Sequence, residues 1–329
     1  MKKDSVSRKF CVAPMMGYTT PHARKLYRIL SKKTFLFTEM IASNTLLHSK
    51  KKDLIIENNL QNPIALQVGG ADIIELSNCA KIAESYKYDE INLNVGCPSK
   101  AVQKGRFGAC LMKEKILVRN CLEEMKNASN IEVSIKCRIG LGKNFNYDFF
   151  HEFIDEIIKS GINLIYVHAR NAILNGISPK ANRSIPPLNY NFVKRIKSAY
   201  PKVSFILNGG IDSLDKALLL SKEYDGVMVG RLVQNNPFCL SKVDKMFFKS
   251  SVNTSFNENI IIDYFNYIRP KINSDSIFRL LSPLLQIFFG IPNSKKLKSE
   301  IHTQMQNCEL TKLENIFLKF INDNQEISY

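Results

Sequence analysis

The 329-residue sequence lacks the marks of several common protein classes. It contains no apolar run of about 18 residues or more, so we expect no membrane-spanning helix. Its first residues show no apolar stretch followed by a small-residue cleavage site, so we expect no secretory signal. There are 8 cysteines without a Cys-x-x-Cys pair, and only 5 histidines, so we expect no zinc or other metal site.

The sequence is also short of acidic residues. There are 46 Lys and Arg residues against 30 Asp and Glu residues, which gives a formal charge of +16 and a pI near 9.4. Such an excess fits a polyanionic partner such as nucleic acid. There is an alternative explanation for the charge. The chain is rich in Lys, Asn and Ile, as proteins translated from AT-rich DNA are, and the lysines would then only cover a solvated face. The scattered free thiols indicate a reducing cytoplasm.

A glycine-rich dinucleotide fingerprint is missing after the first strand, which argues against a doubly wound open sheet. That strand runs instead into Pro14-Met15-Met16-Gly17. Eight strands alternate with amphipathic helical stretches from about residue 10 to about residue 245, and this rhythm predicts a (β/α)8 TIM barrel. The predicted strands are 10–13, 35–40, 64–68, 90–94, 132–138, 164–169, 204–208 and 226–229.

The pattern changes after residue 245. Residues 246–258 are polar and rich in Ser and Asn, as linkers are. Residues 260–268, 278–289 and 313–321 show helical periodicity without a strand pattern. We therefore predict a barrel domain at 1–245 that carries the catalytic site, followed by a small all-helical domain at 259–329.

The fourth predicted strand ends in a turn that carries one thiol. Apolar and polar residues alternate through Glu90-Ile-Asn-Leu-Asn-Val and stop at Gly96-Cys97-Pro98. Glycine permits a tight bend, and proline fixes the backbone after it. A cysteine used only for packing more often lies inside a helix or strand. We therefore favour a functional role for Cys97 at this strand end.

Polar or glycine-rich residues follow the other predicted strands, where a barrel builds its active site. Taken singly, Gln67 and His168 are ordinary hydrogen-bonding residues, and Lys136 suits a solvated edge. Taken together, the strand-end residues predict one site. They are Pro14, Met15, Met16, Gln67, Asn92, Asn94, Cys97, Lys136, Arg138, His168, Arg170, Asn208, Gly209, Gly210, Gly230 and Arg231.

The last two strand ends predict a phosphate site. Glycine turns at Gly209, Gly210 and Gly230 let backbone N–H groups approach an anion closely, and Arg231 adds a charge. Lys136 would point to the barrel centre, where a cation suits a cofactor ring that becomes negative on reduction. A phosphorylated redox cofactor is indicated, and FMN fits best.

These residues resemble the tRNA-dihydrouridine synthases over essentially the whole chain. The resemblance is carried by Val12-Ala-Pro-Met15, Asn92-Leu-Asn-Val-Gly-Cys-Pro98, Gly105-Arg-Phe-Gly-Ala109, Ile206-Leu-Asn-Gly-Gly210 and Val229-Gly-Arg231. The insert at 168–188, with its His-Ala-Arg start and Ile185-Pro-Pro-Leu188, is similar to the DusA branch, which reduces uridines 20 and 20a in the tRNA D-loop.

The resemblance implies FMN as cofactor, NADPH as reductant, tRNA as partner and a monomeric protein with a helical tRNA-binding domain. It implies that Cys97 donates a proton and that Asn94, Lys180 and Arg183 meet the tRNA, with Lys295 and Lys298 in the helical domain. The implied flavin contacts are Pro14, Met15, Met16, Gln67, Lys136, His168, Asn208, Gly209, Gly210, Gly230 and Arg231.

One absence departs from that branch. The sequence has no tryptophan, and Tyr18, Ile173 and Leu297 stand where the branch shows Trp. Two other functions compete with the one implied. An FMN barrel that reduces a small enone or pyrimidine explains the cofactor residues but not the basic helical region. An RNA-binding protein without catalysis does not explain why Cys97, Lys136 and His168 are present.

Overall fold

The computed structural model describes residues 6–50, 56, 61–250, 257–288 and 294–323. The chain divides into two compact units, which are described separately. The first comprises Met1–Met16 and Phe35–Gly230, and the second comprises Gly17–Thr34 and Arg231–Tyr329. The domain boundaries expected from the sequence, 1–245 and 259–329, stay a prediction, and 251–256 of the linker lie outside the described residues.

The first unit contains eight parallel strands in the sheet order β1-β8-β7-β6-β5-β4-β3-β2. The sheet closes through Phe35, whose N–H donates to the carbonyl of Phe10 at 3.0 Å and whose carbonyl accepts from Val12 N–H at 2.9 Å. The predicted (β/α)8 barrel is thereby confirmed. The strands are β1 (Phe10–Val12), β2 (Leu36–Ala42), β3 (Ile64–Gly69), β4 (Glu90–Val95), β5 (Glu132–Arg138), β6 (Leu164–His168), β7 (Ser204–Asn208) and β8 (Gly226–Val229).

Fourteen α-helices occur in the part of the chain that the structure describes. They are α1 (Pro21–Leu30), α2 (Ser43–His48), α3 (Ile73–Ser85), α4 (Lys100–Lys104), α5 (Lys115–Ala128), α6 (Tyr147–Ile158), α7 (Tyr190–Ala199), α8 (Leu214–Leu220), α9 (Arg231–Asn235), α10 (Val243–Phe248), α11 (Glu258–Ile268), α12 (Ile277–Leu281), α13 (Lys295–Gln306) and α14 (Leu310–Asp323). Short 3-10 helices lie at Gly108–Lys113, Ala181–Arg183, Pro237–Lys242, Arg269–Lys271 and Leu284–Phe288. None of the helices described is both long and apolar enough to cross a membrane.

Side-chain caps explain where several barrel helices begin. The side chain of Asp72 accepts a hydrogen bond from Glu75 N–H at the start of α3. Asn146, Asn189 and Ser213 do the same at α6, α7 and α8. Each cap satisfies a backbone N–H that the first turn of a helix leaves without a partner. These caps therefore define the residues at which the four helices begin.

The interior of the barrel is polar along β4. Side chains alternate between the two faces of a strand, so Glu90, Asn92 and Asn94 share one face. Glu90 accepts hydrogen bonds from Tyr166 on β6 at 3.0 Å and from Arg8, before β1, at 2.8 Å. Because β6 and β1 do not neighbour β4 in the sheet, these bonds cross the barrel and place that face inside it.

In the residues described, the second unit is helical and packs around aromatic side chains. In its core, Phe288 contacts Phe317 and Phe320, with ring centroids 5.7 and 4.8 Å away. Helix α1 belongs to this unit, and His22 on it bonds to Tyr267 at 2.9 Å and Asp275 at 2.8 Å.

The helical pattern at 278–289 differs from the structure. It is split into α12 and the 3-10 helix Leu284–Phe288, and residue 289 is outside the described residues. Pro283 lies at the break. Proline has no N–H for a helical hydrogen bond and disfavours helical backbone in the residue before it.

Candidate active site

The Cys97 turn is held by the residue that ends β4 on its inner face. Asn94 Oδ1 accepts from Gly96 N–H at 3.1 Å and from Cys97 N–H at 3.0 Å. On the far side, Ala109 N–H donates to the carbonyl of Cys97 at 2.9 Å. Gly108 has φ +77, and a Cβ there would lie 2.6 Å from the Cys97 carbonyl oxygen. The free thiol of Cys97 is therefore half-buried on a turn that is fixed at both ends.

Two further amide side chains connect this turn to the barrel interior. Asn94 Nδ2 donates to Gln67 Oε1 at 2.9 Å, and Gln67 Nε2 donates to Asn92 Oδ1 at 2.8 Å. Asn92 Nδ2 then donates to Ser134 Oγ at 2.6 Å. The chain of bonds runs across β3, β4 and β5, so it fixes the rotamers of Gln67 and Asn94 before any ligand binds.

Deeper in the barrel than these amide side chains lies the ion pair between Arg8 and Glu90, which could not be predicted from the sequence. Glu90 bonds to Arg8, Tyr166 and Ser134. Burial raises the pKa of Glu90, while the charge of Arg8 and the hydrogen bonds lower it. The signal in the sequence was an acidic residue on the same face of the strand as Asn92 and Asn94. We interpret the Arg8–Glu90 pair as the inner boundary of the polar site.

Lys136 and Asn208 bring β5 and β7 together at the mouth of the barrel. Lys136 Nζ donates to Asn208 Oδ1 at 3.3 Å, and Asn208 Nδ2 donates to the carbonyl of Met228 on β8 at 2.7 Å. Burial, together with the charge of Arg138, lowers the pKa of Lys136 to about 8. A cation that is destabilised in this way gains from an anion brought beside it.

Arg138, two residues further along β5, holds backbone rather than ligand. Its Nε donates to the carbonyl of Gly96 at 3.0 Å. Its Nη1 donates to the carbonyls of Asn171 and Asn182 at 2.9 and 3.0 Å. Burial, opposed by Cys97 and reinforced by repulsion from Arg170 and Arg183, lowers the pKa of Arg138 to about 10. The sequence placed Arg138 at a strand end but gave no sign of these partners.

The glycine turn after β7 lies beside His168. Gly209 and Gly210 have φ of +111 and +66, so both need glycine. A Cβ on Gly209 would lie 2.7 Å from His168 Cδ2, and one on Gly210 would lie 2.3 Å from Leu188 Cδ1. Tyr190 Oη donates to the Gly209 carbonyl at 2.6 Å, which fixes the turn. The two glycines therefore let the turn pack closely against His168 and Leu188.

The ends of β1 and β8 meet next to this turn. A Cβ on Gly230 would lie 3.5 Å from Met15 Sδ. Met15 is buried, whereas Met16 is 65% exposed. Pro14 precedes them on the same strand end, and Arg231 begins α9 in the second unit. These features fit FMN. Backbone N–H groups of the glycine turn suit its anionic phosphate, while Lys136, with its lowered pKa, and the exposed Met16 suit its ring.

The residues expected to meet RNA lie in two places. Lys180 is exposed and Arg183 is half-buried, both at the short helix Ala181–Arg183 in the insert after β6. Lys295 and Lys298 are exposed on α13, in the second unit. These roles stay predictions. The residues described contain no group of three or more His, Cys, Asp or Glu side chains that could bind a metal.

A cavity of about 430 Å³ lies apart from this site. It is lined by the ends of β2 and β3 and by Arg106 and Phe107, and it includes none of the expected flavin contacts. Phe107 fills the space above Gly69 and Gly105, where a Cβ would lie 2.6 and 2.4 Å from its ring. The cavity therefore borders the loop that follows Cys97 and is separate from the residues expected to contact the flavin.

The chain is similar to known proteins over most of its length. The family model for dihydrouridine synthase (Dus) matches residues 11–322. The tRNA-dihydrouridine(20/20a) synthase of Shewanella oneidensis is 38% identical over 314 residues, which cover 94% of this chain and 93% of that protein. The protein of the same name from Escherichia coli K12 is 40% identical over 292 residues, or 88% of this chain and 84% of that protein. With matches of this length on a barrel whose fourth strand presents a fixed thiol, the chain belongs to the dihydrouridine synthase family.

Proposed function

We propose that this protein reduces uridine to 5,6-dihydrouridine in the D-loop of tRNA, at positions 20 and 20a, as a monomeric flavoprotein of the cytoplasm. The observation that carries the proposal is the Cys97 turn, fixed by Asn94 beside the Lys136–Asn208 pair. The relatives from Shewanella oneidensis and Escherichia coli K12 are named for this reaction at these positions. The reductant is NADPH, which is oxidised as the uracil ring is saturated.

The cofactor that these residues suit is FMN. Bound there, it would supply the hydride that uracil C6 accepts. Gly209 and Gly210 would receive its phosphate with Gly230 and Arg231, and Lys136 would offset negative charge on its ring. The remaining contacts of the ring would be Pro14, Met15, Met16, Gln67, His168 and Asn208.

Cys97 would complete the reduction by giving a proton from Sγ to uracil C5. Asn94 accepts a hydrogen bond from the backbone N–H of Cys97, so the thiol is held in a fixed position. Little conformational entropy is then lost when the transition state for proton transfer forms. Proton transfer leaves a thiolate on Cys97. Solvent then returns the proton.

The tRNA would bind through phosphate contacts. The formal charge of +16 supplies the attraction, and Lys180, Arg183, Lys295 and Lys298 are the expected contacts, with Asn94 at the flipped uridine. Extruding the base costs a few kcal/mol, roughly, which these contacts must offset.

The first experiment is a map of dihydrouridine in tRNA from a bacterial strain stripped of its own synthases and expressing this chain. We expect dihydrouridine at 20 and 20a. Dihydrouridine elsewhere in the D-loop would contradict the position, and soluble yellow protein that modifies no tRNA but reduces free uridine or small enones would contradict the substrate.

The Cys97→Ala variant tests the role of the thiol. We expect its flavin to be reduced by NADPH at the wild-type rate, with dihydrouridine formation at least about a hundredfold slower because the proton donor is missing. Both rates are measured on purified, flavin-loaded protein. Full turnover on tRNA by this variant would remove Cys97 from the mechanism.

A further inference from the structure

The turn that carries Cys97 and the insert after β6 are joined by the side chain of Gln103. Its Nε2 donates to the carbonyl of Pro98 at 2.9 Å and to the carbonyl of Leu174 at 2.9 Å. Both protons of one amide are therefore used, one on the turn and one on the insert. Gln103 lies on α4, the short helix that follows the turn, and it is half-buried.

Arg138 makes a second connection between the same two segments. It bonds to Gly96 on the turn, and to Asn171 and Asn182 on the insert. Only 3% of Arg138 is exposed, so water could not replace these carbonyls as hydrogen-bond acceptors for the guanidinium if the bonds were broken. A planar fork reaches several acceptors at once, as an ammonium group does not.

The insert is rigid at the points where these two side chains grip it. Asn182 Oδ1 accepts from Ile173 N–H at 2.8 Å, and its Nδ2 donates to the Ile173 carbonyl at 2.8 Å. Asn171 Nδ2 donates to the carbonyl of Asn144 at 2.8 Å. Both asparagines are buried, at 0% and 1% exposure. These bonds limit how far Asn171 and Asn182 can move relative to the backbone around them.

We propose that Gln103 and Arg138 are positioning residues that fix the Cys97 turn against the insert, so that an RNA backbone seated on Lys180 and Arg183 holds the thiol in place for proton transfer. Lys180 and Arg183 flank Asn182, which Arg138 grips. The inference rests on the proposed function, because it takes Cys97 as the proton donor and the insert as an RNA contact.

The test is transient kinetics on the full-length, flavin-loaded protein with the Gln103→Met variant. Methionine keeps the length of the side chain and removes both donors. One measurement follows reduction of the flavin by NADPH, and a second follows reoxidation of the reduced flavin by tRNA from a strain without dihydrouridine synthases. Lys113→Met, at the exposed last residue of the 3-10 helix Gly108–Lys113, is the matched control.

We expect flavin reduction in Gln103→Met within about twofold of wild type and reoxidation by saturating tRNA at least about tenfold slower, since a misplaced donor loses rate steeply. Gln103→Asn retains an amide but is one methylene shorter, so an intermediate rate is expected. Lys113→Met should match wild type in both steps.

Lys180→Ala provides an independent measurement of the coupling. It should slow reoxidation at saturating tRNA in the wild-type background and add nothing in the Gln103→Met background. Additive effects would overturn the inference. So would a Gln103→Met protein with weaker tRNA affinity but a normal rate at saturation, or one that loses flavin reduction in parallel. If tRNA does not reoxidise the wild-type flavin at all, the proposed function fails and the inference falls with it.

Discussion

Lys136 offers the sharpest test of the proposed cofactor site, because its protonation is coupled to both folding and ligand binding. Burial, with the charge of Arg138, lowers its pKa from 10.5 to about 8. That difference corresponds to a preference of at most about 3 kcal/mol for the neutral amine. The remaining exposure of the half-buried side chain reduces this value through solvent screening.

The sign of the pH dependence follows from linkage. Between pH 8 and 10.5 the unfolded chain retains a proton that the folded, flavin-free protein has released at Lys136. Stability therefore rises with pH across this window, relative to a protein without the amine. At pH 7 we expect flavin-free Lys136→Met to be more stable than wild type by up to about 3 kcal/mol, less the value of the lost bond to Asn208. The advantage should shrink toward pH 10.

Urea unfolding of flavin-free wild type, Lys136→Met and the exposed control Lys143→Met at several pH values measures this directly. Thiols and tyrosines titrate in the same range, but they are common to the three proteins and cancel in the differences. A stability difference between wild type and Lys136→Met that is constant from pH 7 to pH 10 would refute the assigned pKa and its cause.

Flavin binding should show the opposite preference. A flavin ring atom that accepts a hydrogen bond from the ammonium of Lys136 favours the charged form and raises the pKa of Lys136, so FMN binding takes up a proton above pH 8. Wild-type affinity for FMN should then fall by up to about tenfold per pH unit above pH 8, whereas Lys136→Met should bind FMN weakly at every pH. Quenching of flavin fluorescence reports both affinities. An affinity independent of pH would remove Lys136 from the flavin site.

Two further predictions concern the glycine cradle and the RNA contacts. Gly210→Ala places a Cβ at a residue with φ +66, 2.3 Å from Leu188 Cδ1. The amount of flavin bound per protein should therefore fall, and the free energy of unfolding should drop by about 2 kcal/mol. The control Gly142→Ala, where φ is +81 and no atom lies within 4 Å of the new Cβ, should keep its flavin. Affinity for tRNA should fall steeply with salt, and Lys180→Ala and Lys298→Ala should each lower the slope of log affinity against log salt by about 1. A salt-independent affinity, or a Gly210→Ala protein with full flavin content, would contradict these expectations.

The sequence predicted the barrel well because each strand has its own local signal. All eight strands lie where an apolar run, or an alternation of apolar and polar residues, ends in Gly, Pro or polar residues, and three of them, β5, β7 and β8, match the expected bounds. A strand buried on both faces reads as an apolar run whatever its partners are. Helix α13 was missed because its buried side chains are only Ile301 and Met305, too few to show a helical period.

Partners distant in the chain could not be predicted in this way. Arg8 meets Glu90 across 82 positions, and Gln103 meets Leu174 across 71. A residue's type indicates that it needs a partner, since a buried charge or amide is costly alone, but it does not indicate which partner it finds. The sequence therefore supplied the members of the candidate site, and the closed sheet supplied the bonds among them.

The register of the sheet explains why those members converge. Asn94 on β4 pairs with Lys136 on β5, Arg138 pairs with His168 on β6, and His168 pairs with Asn208 on β7. Because side chains alternate with period two, a slip of one residue at any of these pairs would turn a site residue out of the barrel. The polar bonds inside the barrel, from Glu90 upward, oppose such a slip, since it would bury each donor without its acceptor. Burying these polar groups costs desolvation energy, but their bonds keep Cys97, Lys136 and the Gly209-Gly210 turn together at the same end of the barrel.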